Sequence, residues 1–220
     1  MRDSVSSFSG SSVVFRDRVE AGQRLAALLH SYREADPIVY ALPRGGVVVG
    51  AEVARALGAP LEVVIARKVG HPQSPEYAIC AVSVSGGLVC NEVERSAADP
   101  RWFERAVERE RQEAVRRQAL YLGERAPLSA EGKTAVVVDD GIATGLTMRA
   151  AIEEMKSQRP RQVVVAVPVI PRETAAALRR QADAVVAVEI PQVFLGAVGA
   201  YYVDFDQVSD EEVIRLLRRG

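Results

Sequence analysis

Short runs of β-branched and other apolar residues recur along the chain, and they alternate with longer segments whose apolar positions repeat at helical spacing. The runs predict strands at 37–42, 61–66, 78–84, 88–91, 134–139, 162–168 and 184–188. The periodic segments predict helices at 17–33, 46–58, 99–123, 145–157, 171–181 and 209–218. Alternating strands and helices favour an α/β fold with a mostly parallel twisted sheet and helices on both faces.

Composition indicates a globular chain without a strong charge bias. Its 220 residues, of which 48% are hydrophobic, can bury a substantial core, and we expect a single domain over 1–220. A net charge of −1 gives no electrostatic reason to bind nucleic acid or a membrane. No run reaches the roughly 18 apolar residues of a membrane helix. The polar, Ser-rich residues 1–12 lack the pattern of a signal peptide, so we expect a cytoplasmic protein.

The most informative chemistry follows the fifth predicted strand. Asp139 and Asp140 end its apolar run, and a helical pattern resumes after Gly145. Ligands of open α/β sheets bind at such strand ends, and the first turn of a helix stabilises a phosphate through its free N–H groups. The hydroxyls of Thr144 and Thr147 add donors, whereas the two carboxylates suit sugar hydroxyls or waters around Mg²⁺. The segment therefore predicts a site for a phosphorylated sugar.

Two other interpretations apply to the same segment. In a plain α/β domain, Asp139 and Asp140 only terminate a strand, and Thr144 only caps a helix. In a P-loop NTPase, Asp139 ends the acidic strand, but that fold also needs a Gly-Lys-Ser/Thr loop, which the chain lacks. The acids, threonines and glycine occur together in the right order, which favours the ligand site.

Two further strand ends carry candidate anion-binding residues. Arg44, Gly45 and Gly46 follow the first strand; glycines let the backbone approach a ligand, and a guanidinium suits phosphate oxygens. Lys68 ends the second apolar segment, where we expect its ammonium to reach an anion in the crevice. For its neighbour Arg67, the sequence supports two interpretations equally: an anion-binding residue or a solvated side chain at a strand exit.

Three other segments complete the pattern. Residues 70–77 contain a glycine, a serine and two prolines, which predict an irregular loop, and His71 within it is expected to be solvated. Cys80 and Cys90 are predicted to be packing thiols, because a hairpin disulfide is disfavoured in a reducing compartment. Opposite charges three and four residues apart predict a solvent-facing helix at 99–123, and the glutamates among its arginines argue against a nucleic-acid-binding surface.

Residues 134–147 resemble the phosphoribosyl pyrophosphate motif of the type I phosphoribosyltransferases: four hydrophobic positions, two acids, two variable positions and Ala-Thr-Gly-x-Thr. With the segment Phe15-Arg16-Asp17-Arg18, the Pro-Arg-Gly-Gly turn and the Arg67-Lys68 pair, the chain is similar to a stand-alone bacterial and archaeal group of predicted phosphoribosyltransferases. Gly141 departs from the family, which usually has an aliphatic residue there. Ala143 stands where the 6-oxopurine branch has an aspartate, and resembles adenine- and uracil-type loops instead.

The resemblance implies a role for each candidate residue. Asp139 and Asp140 contact the ribose hydroxyls and hold Mg²⁺ indirectly. The 5′-phosphate is bound by Ala143, Thr144, Gly145, Leu146 and Thr147. Pyrophosphate is bound by Arg44, Gly45, Gly46 and Lys68, with Arg44 and Lys68 stabilising charge on the leaving group. Residues 70–77 form a lid, and residues 189–208 form a small C-terminal hood with three aromatics that stack on a base or only pack: Phe194, Tyr201 and Tyr202.

The function implied is Mg²⁺-dependent transfer of the phosphoribosyl group from phosphoribosyl pyrophosphate to a nitrogen acceptor, releasing pyrophosphate, as in nucleotide salvage. The acceptor stays open among adenine, uracil, xanthine, orotate and a non-base amine. Related enzymes commonly dimerise, so we expect a homo-oligomer. One alternative is a regulatory module that senses phosphoribosyl pyrophosphate without turnover, and another is a generic nucleotide-binding α/β domain.

Overall fold

The computed structural model describes residues 15–219, so the segment 1–12 and both ends of the predicted 1–220 domain lie outside the described residues. The strands are β1 (Pro37–Ala41), β2 (Leu61–Val63), β3 (Ala66–His71), β4 (Ser74–Ser83), β5 (Leu88–Cys90), β6 (Thr134–Val138), β7 (Gln162–Val169) and β8 (Ala184–Glu189). The helices are α1 (Arg18–Leu28), α2 (Gly45–Leu57), α3 (Glu92–Ala97), α4 (Pro100–Leu122), α5 (Leu146–Ser157), α6 (Arg172–Leu178) and α7 (Asp210–Leu217). None of these helices combines the length and apolar character that crossing a membrane requires.

The central sheet contains five parallel strands in the order β2-β1-β6-β7-β8. Because all five run in one direction, their carboxyl ends meet at a single edge of the sheet. β1 and β6 are neighbours, with Ile38 paired to Ala135 and Ala41 paired to Val138. The loops that follow these two strands therefore lie side by side.

Hydrophobic cores cover both faces of this sheet. Successive strand residues point to opposite faces, so Val39 and Val136 pack with α1, α2 and α7, whereas Tyr40 and Val137 pack with α5 and α6. This arrangement confirms the predicted α/β fold with helices on both faces.

A second, antiparallel sheet is formed by β3, β4 and β5. The prediction of an irregular loop at 70–77 is wrong. β3 ends at His71 and β4 begins at Ser74, so this segment forms the closed end of a β-hairpin. Val69 and Ile79 from its two strands are fully buried against Ala106 of α4. The burial of such side chains outweighs the local breaker signals of the prolines.

The prediction for the cysteines is also wrong, because Cys80 and Cys90 form a disulfide. They are direct partners across the antiparallel strands β4 and β5, with 4.0 Å between their Cα atoms. Directly opposed positions bring two Cβ atoms into bonding range, and the redox argument drawn from the sequence does not consider this register.

Candidate functional site

A cavity of about 870 Å³ opens at the carboxyl ends of β1 and β6, between the central sheet and the β3–β4 hairpin. β3 is an edge strand of the small sheet, and residues from it, from α4 and from both loops of the central sheet form the walls. The charged and hydroxyl side chains that line the cavity are Arg18, Arg67, Lys68, Arg109, Glu110, Asp139, Asp140, Thr144 and Thr147.

The structure places Asp139 and Asp140 together in this cavity, at the end of β6. The Asp140 N–H donates to Asp139 Oδ1 at 2.9 Å, which orients the first carboxylate. Burial and the neighbouring Asp140 carboxylate raise the pKa of Asp139 well above its ordinary value, and the charge of Lys68 opposes this rise. A perturbed carboxyl in a cleft is a frequent mark of a functional site.

Arg18 joins the acid pair, although the sequence assigned it no role. It extends from the first turn of α1, and its Nε donates to Asp140 Oδ2 at 2.7 Å. Both side chains are largely buried, with 12% of Arg18 and 17% of Asp140 exposed. Burial raises the pKa of Asp140, and the hydrogen bond from Arg18 opposes that rise. The two acids are therefore unequal, since only one of them has an arginine partner at this distance.

The turn from β6 into α5 has the geometry of an anion site. Ala143, Thr144, Gly145 and Thr147 line the cavity, while the side chain of Leu146 is buried among apolar residues of the small sheet. Gly145 has a φ of 82°, in the left-handed region that favours glycine, and no described side chain caps the helix start. The first N–H groups of α5 are therefore left for a ligand.

The start of α2, which follows β1, packs very closely against Asp139 and Asp140. A Cβ atom on Gly45 would collide with Asp140 Oδ2, and a Cβ atom on Gly46 would lie 2.9 Å from Asp139 Cα. Side chains at these two positions would therefore push the start of α2 away from the end of β6. The contact places the predicted pyrophosphate glycines beside the predicted ribose acids.

The two residues predicted to stabilise the leaving group differ in placement. Lys68 lines the cavity from β3 and acts electrostatically on Asp139. Arg44 is not among the lining residues; its Nη1 lies 3.9 Å from Asp210 Oδ1, which also accepts a hydrogen bond from Tyr121 Oη at 2.6 Å. The structure thus brings Lys68 to the acid pair but turns the Arg44 guanidinium toward α7.

One stretch of α4 lines the cavity, where the charge pattern predicts only solvent. Glu110 accepts hydrogen bonds from Arg67 Nη2 at 3.0 Å and Arg109 Nε at 3.2 Å, and all three line the cavity with Trp102. Elsewhere the helix carries surface ion pairs as predicted, and hydrogen bonds from two nearby arginines lower the pKa of Glu113 to about 2. The spacing of opposite charges is the same where α4 faces solvent and where it lines the cavity, so this pattern alone does not predict the cavity wall.

The aromatic residues of the predicted hood segment pack against one another. Tyr201 and Tyr202 are buried, and the rings of Phe194 and Tyr201 stack with 5.4 Å between their centroids. The Tyr202 hydroxyl donates to the Asp140 carbonyl oxygen at 2.5 Å, and burial raises the pKa of this tyrosine. Phe205, which the sequence did not single out, is the aromatic residue of the segment that lines the cavity.

The donor set of the cavity fits a magnesium ion that arrives with its own ligands. Across residues 15–219, no group of three or more His, Cys, Asp or Glu side chains is arranged to hold a metal. Mg²⁺ usually keeps several waters and binds one or two carboxylates together with substrate phosphates. Asp139 and Asp140 provide that number of carboxylates, so they would hold the ion only jointly with a phosphorylated ligand.

These features define an α/β protein with a helix start that no described side chain caps, beside a pair of acids in a cavity at the carboxyl edge of its sheet. The family model described as a phosphoribosyl transferase domain matches residues 16–204, and the chain belongs to that family.

Relatives agree with this assignment. Proteins from two strains of Mycobacterium tuberculosis, provisionally named phosphoribosyl transferases, are 38% identical over 209 residues. The match covers 94% of this chain and 47% of theirs, so the chain spans about half the length of the curated relatives it matches. The crystal structure of TT1426 from Thermus thermophilus is 45% identical with a TM-score of 0.79, and the match covers 94% of this chain and 98% of that one. AQ2163 from Aquifex aeolicus shares the fold alone, at 10% identity, a TM-score of 0.50 and coverage of 79% and 72%.

Proposed function

We propose that this protein transfers the phosphoribosyl group from phosphoribosyl pyrophosphate to a nitrogen acceptor, in a Mg²⁺-dependent reaction that releases pyrophosphate. One observation carries the proposal: the acid pair, the uncapped start of α5 and Lys68 all line a single cavity. They match the three groups of this substrate, which are the ribose hydroxyls, the 5′-phosphate and the pyrophosphate. Membership in the phosphoribosyl transferase family supports the same reaction.

Each group of the substrate has a proposed location. The 5′-phosphate binds at residues 143–147, where the helix start and the hydroxyls of Thr144 and Thr147 supply donors. Asp139 and Asp140 accept hydrogen bonds from the ribose hydroxyls. Pyrophosphate lies near Lys68, which lines the cavity, and beside the start of α2 at Gly45 and Gly46, which packs directly against the acid pair.

The proposed reaction breaks the bond from ribose C1 to the pyrophosphate oxygen and forms a bond from C1 to the acceptor nitrogen, which gives up its proton to solvent. The electron pair of the broken bond leaves with pyrophosphate, whose charge Lys68 stabilises. Positioning and electrostatics supply the acceleration, so no covalent nucleophile is required. Arg44 contributes its guanidinium only if that group exchanges Asp210 for pyrophosphate. When bound, Mg²⁺ would neutralise part of the pyrophosphate charge, held jointly by the ligand and the acid pair.

The proposal extends to the acceptor and the setting of the reaction. A nucleobase is the proposed acceptor, bound beside the hood segment 189–208, where Phe205 lines the cavity. Nucleotide salvage, a cytoplasmic location and a homo-oligomeric state belong to the same proposal, as does the absence of a nucleic-acid partner.

The test is a pyrophosphate-release assay with Mg²⁺, labelled phosphoribosyl pyrophosphate and separate reactions containing adenine, uracil, xanthine, orotate or a simple amine. We expect release with one acceptor or a few, and a labelled ribosylated product of matching mass. The Asp139→Ala variant should retain its fold and lose release.

The release assay together with a binding measurement distinguishes an enzyme from a ligand sensor. Calorimetry on the wild-type protein shows whether phosphoribosyl pyrophosphate binds at all. Tight binding without release under every acceptor would replace the enzyme proposal with a ligand-sensing module. Preference for an unrelated nucleotide over phosphoribosyl pyrophosphate would contradict both.

A further inference from the structure

Arg18 contacts Asp140 of the acid pair and also Phe205 and Asp206. These two residues follow the aromatic residues that are predicted to stack on a base. We propose that Arg18 is a positioning residue for phosphoribosyl binding: it holds Oδ2 of Asp140, so that the second oxygen of this carboxylate meets a ribose hydroxyl in a fixed orientation. The inference rests on the proposed function of the cavity. It adds a residue from α1, far in sequence from the motif that it supports.

Three separate contacts immobilise the guanidinium of Arg18. Its Nε donates to Asp140 Oδ2 at 2.7 Å, and its Nη1 donates to the Asp206 carbonyl oxygen at 2.8 Å. Its Cζ lies 3.8 Å from the centroid of the Phe205 ring, within the range of a cation–π contact. A planar guanidinium with contacts in its plane and on its face has little freedom to rotate, so the carboxylate that it holds is equally restricted.

The same ion pair borders the start of α2. A Cβ atom on Gly45 would collide with Asp140 Oδ2 and would lie 2.7 Å from Arg18 Nε. The glycine therefore packs directly on the pair. Movement of Asp140 would disturb both the ribose acids and the backbone proposed to approach pyrophosphate.

The charges at the site also favour a cation in this place. The proposed substrate is strongly anionic, and an unpaired carboxylate beside it would repel its phosphates. Arg18 neutralises Asp140, while Lys68 acts on Asp139. Among the described residues, only Asp140 of the pair has a cation in direct contact, so this neutralisation depends on Arg18.

Arg24 provides a matched comparison on the same helix. It also lies over an aromatic ring, with 5.1 Å from its Cζ to the Phe15 centroid, and pairs with Glu20 at 3.8 Å. Arg24 is not among the residues that line the cavity. An arginine that only stabilises α1 should therefore behave like Arg24, whereas a positioning residue should not.

The experiment compares Arg18→Met, Arg18→Lys and Arg24→Met by circular dichroism, by calorimetry with phosphoribosyl pyrophosphate and by steady-state kinetics. We expect Arg18→Met to weaken phosphoribosyl pyrophosphate binding about 10- to 100-fold, the range for loss of a charge-assisted contact, with a larger effect on KM than on kcat. Arg18→Lys should recover part of the affinity, because an ammonium can pair with Asp140 but cannot also stack and reach Asp206. Arg24→Met should leave KM and affinity unchanged.

Unchanged affinity and KM in folded Arg18→Met, or an equal loss in Arg24→Met, would overturn the inference. If Arg18→Met does not fold, Arg18→Lys and Phe205→Leu decide: both fold with weakened binding if the inference is correct, and both bind like the wild type if it is not. Calorimetry separates this result from the fate of the proposed reaction. A wild-type protein that binds phosphoribosyl pyrophosphate without turnover still shows the Arg18 effect, whereas one that does not bind it contradicts both proposals.

Discussion

Asp139 is buried in a place where its negative charge is disfavoured. Burial and the adjacent Asp140 raise its pKa, so the folded protein binds a proton at Asp139 more tightly than the unfolded chain does. The associated stability is fully present below the unfolded pKa, near 3.8, and is lost as the pH rises through the higher folded pKa. A buried carboxyl of this kind reduces the stability of the fold at neutral pH.

Asp139→Asn should therefore stabilise the protein and impair ligand binding. At pH 7 we expect a gain of about 1 kcal/mol in the free energy of unfolding, the usual scale for removing a destabilising functional group. Wild-type stability should fall from about pH 4 toward neutrality, and the variant should show a flatter profile, measured by urea unfolding at several pH values. Asp36→Asn, at an exposed ion pair with Lys133, is the control and should leave the profile unchanged. A variant less stable than the wild type at pH 7 contradicts the assignment.

At the same scale, the sequence identifies the acid pair but not its arginine. Asp139, Asp140 and the glycine turn are consecutive, and their order carries the signal. Arg18 and Asp140 are 122 residues apart, and their contact depends on how α1 packs over the ends of the strands. Hydrophobic periodicity places α1 on the sheet but does not specify which polar side chain lies beyond the strand end.

Among the elements, short β2 is fixed by a buried ion pair. Glu62 is 1% exposed, and its Oε2 accepts hydrogen bonds from Arg125 Nη1 at 2.8 Å and the Leu128 N–H at 2.9 Å. Oε1 accepts from the Val63 N–H at 2.8 Å. The pair connects β2 to the segment before β6. Asp139 and Asp140 follow β6 at its carboxyl end.

Glu62→Ala should remove this connection and leave a guanidinium and two backbone N–H groups without their acceptor. We expect a loss of about 2–3 kcal/mol in the free energy of unfolding, somewhat less than for a fully buried pair because Arg125 is partly exposed. Lys133→Ala breaks an exposed pair and should cost below about 1 kcal/mol. Denaturant titration of both variants measures the difference, and equal losses would show that burial of Glu62 does not matter.

The elements also show where sequence reasoning stops. The buried parallel strands can be predicted from continuous apolar runs in the sequence, such as the one in β6, and this prediction is confirmed. The β3–β4 hairpin has weak local signals, because its stability comes from α4 packing on Val69 and Ile79. Contacts of this kind appear only once helix and hairpin are placed together, and the same holds for the cavity wall at Glu110.

For the whole molecule, α5 joins the two sheets. Its Met148 and Ile152 pack in the core of the central sheet, and its Leu146 and Ala150 pack against β4 and β5. The small sheet therefore shares a helix with the large one. The prediction of a single domain requires that both sheets unfold together, and the disulfide between Cys80 and Cys90 gives a way to test this.

Reduction of the disulfide should lower the stability of the entire fold. Opening a crosslink between cysteines ten residues apart should remove about 2–3 kcal/mol, since the unfolded chain regains conformational freedom. If the sheets form one cooperative unit, calorimetry with reductant should show a single transition at a lower temperature. The double variant Cys80→Ala/Cys90→Ala should melt at the lower temperature regardless of reductant. Two separate transitions would divide the chain into independent units, and two free thiols in the unreduced protein, with no response to reductant, would contradict the disulfide itself.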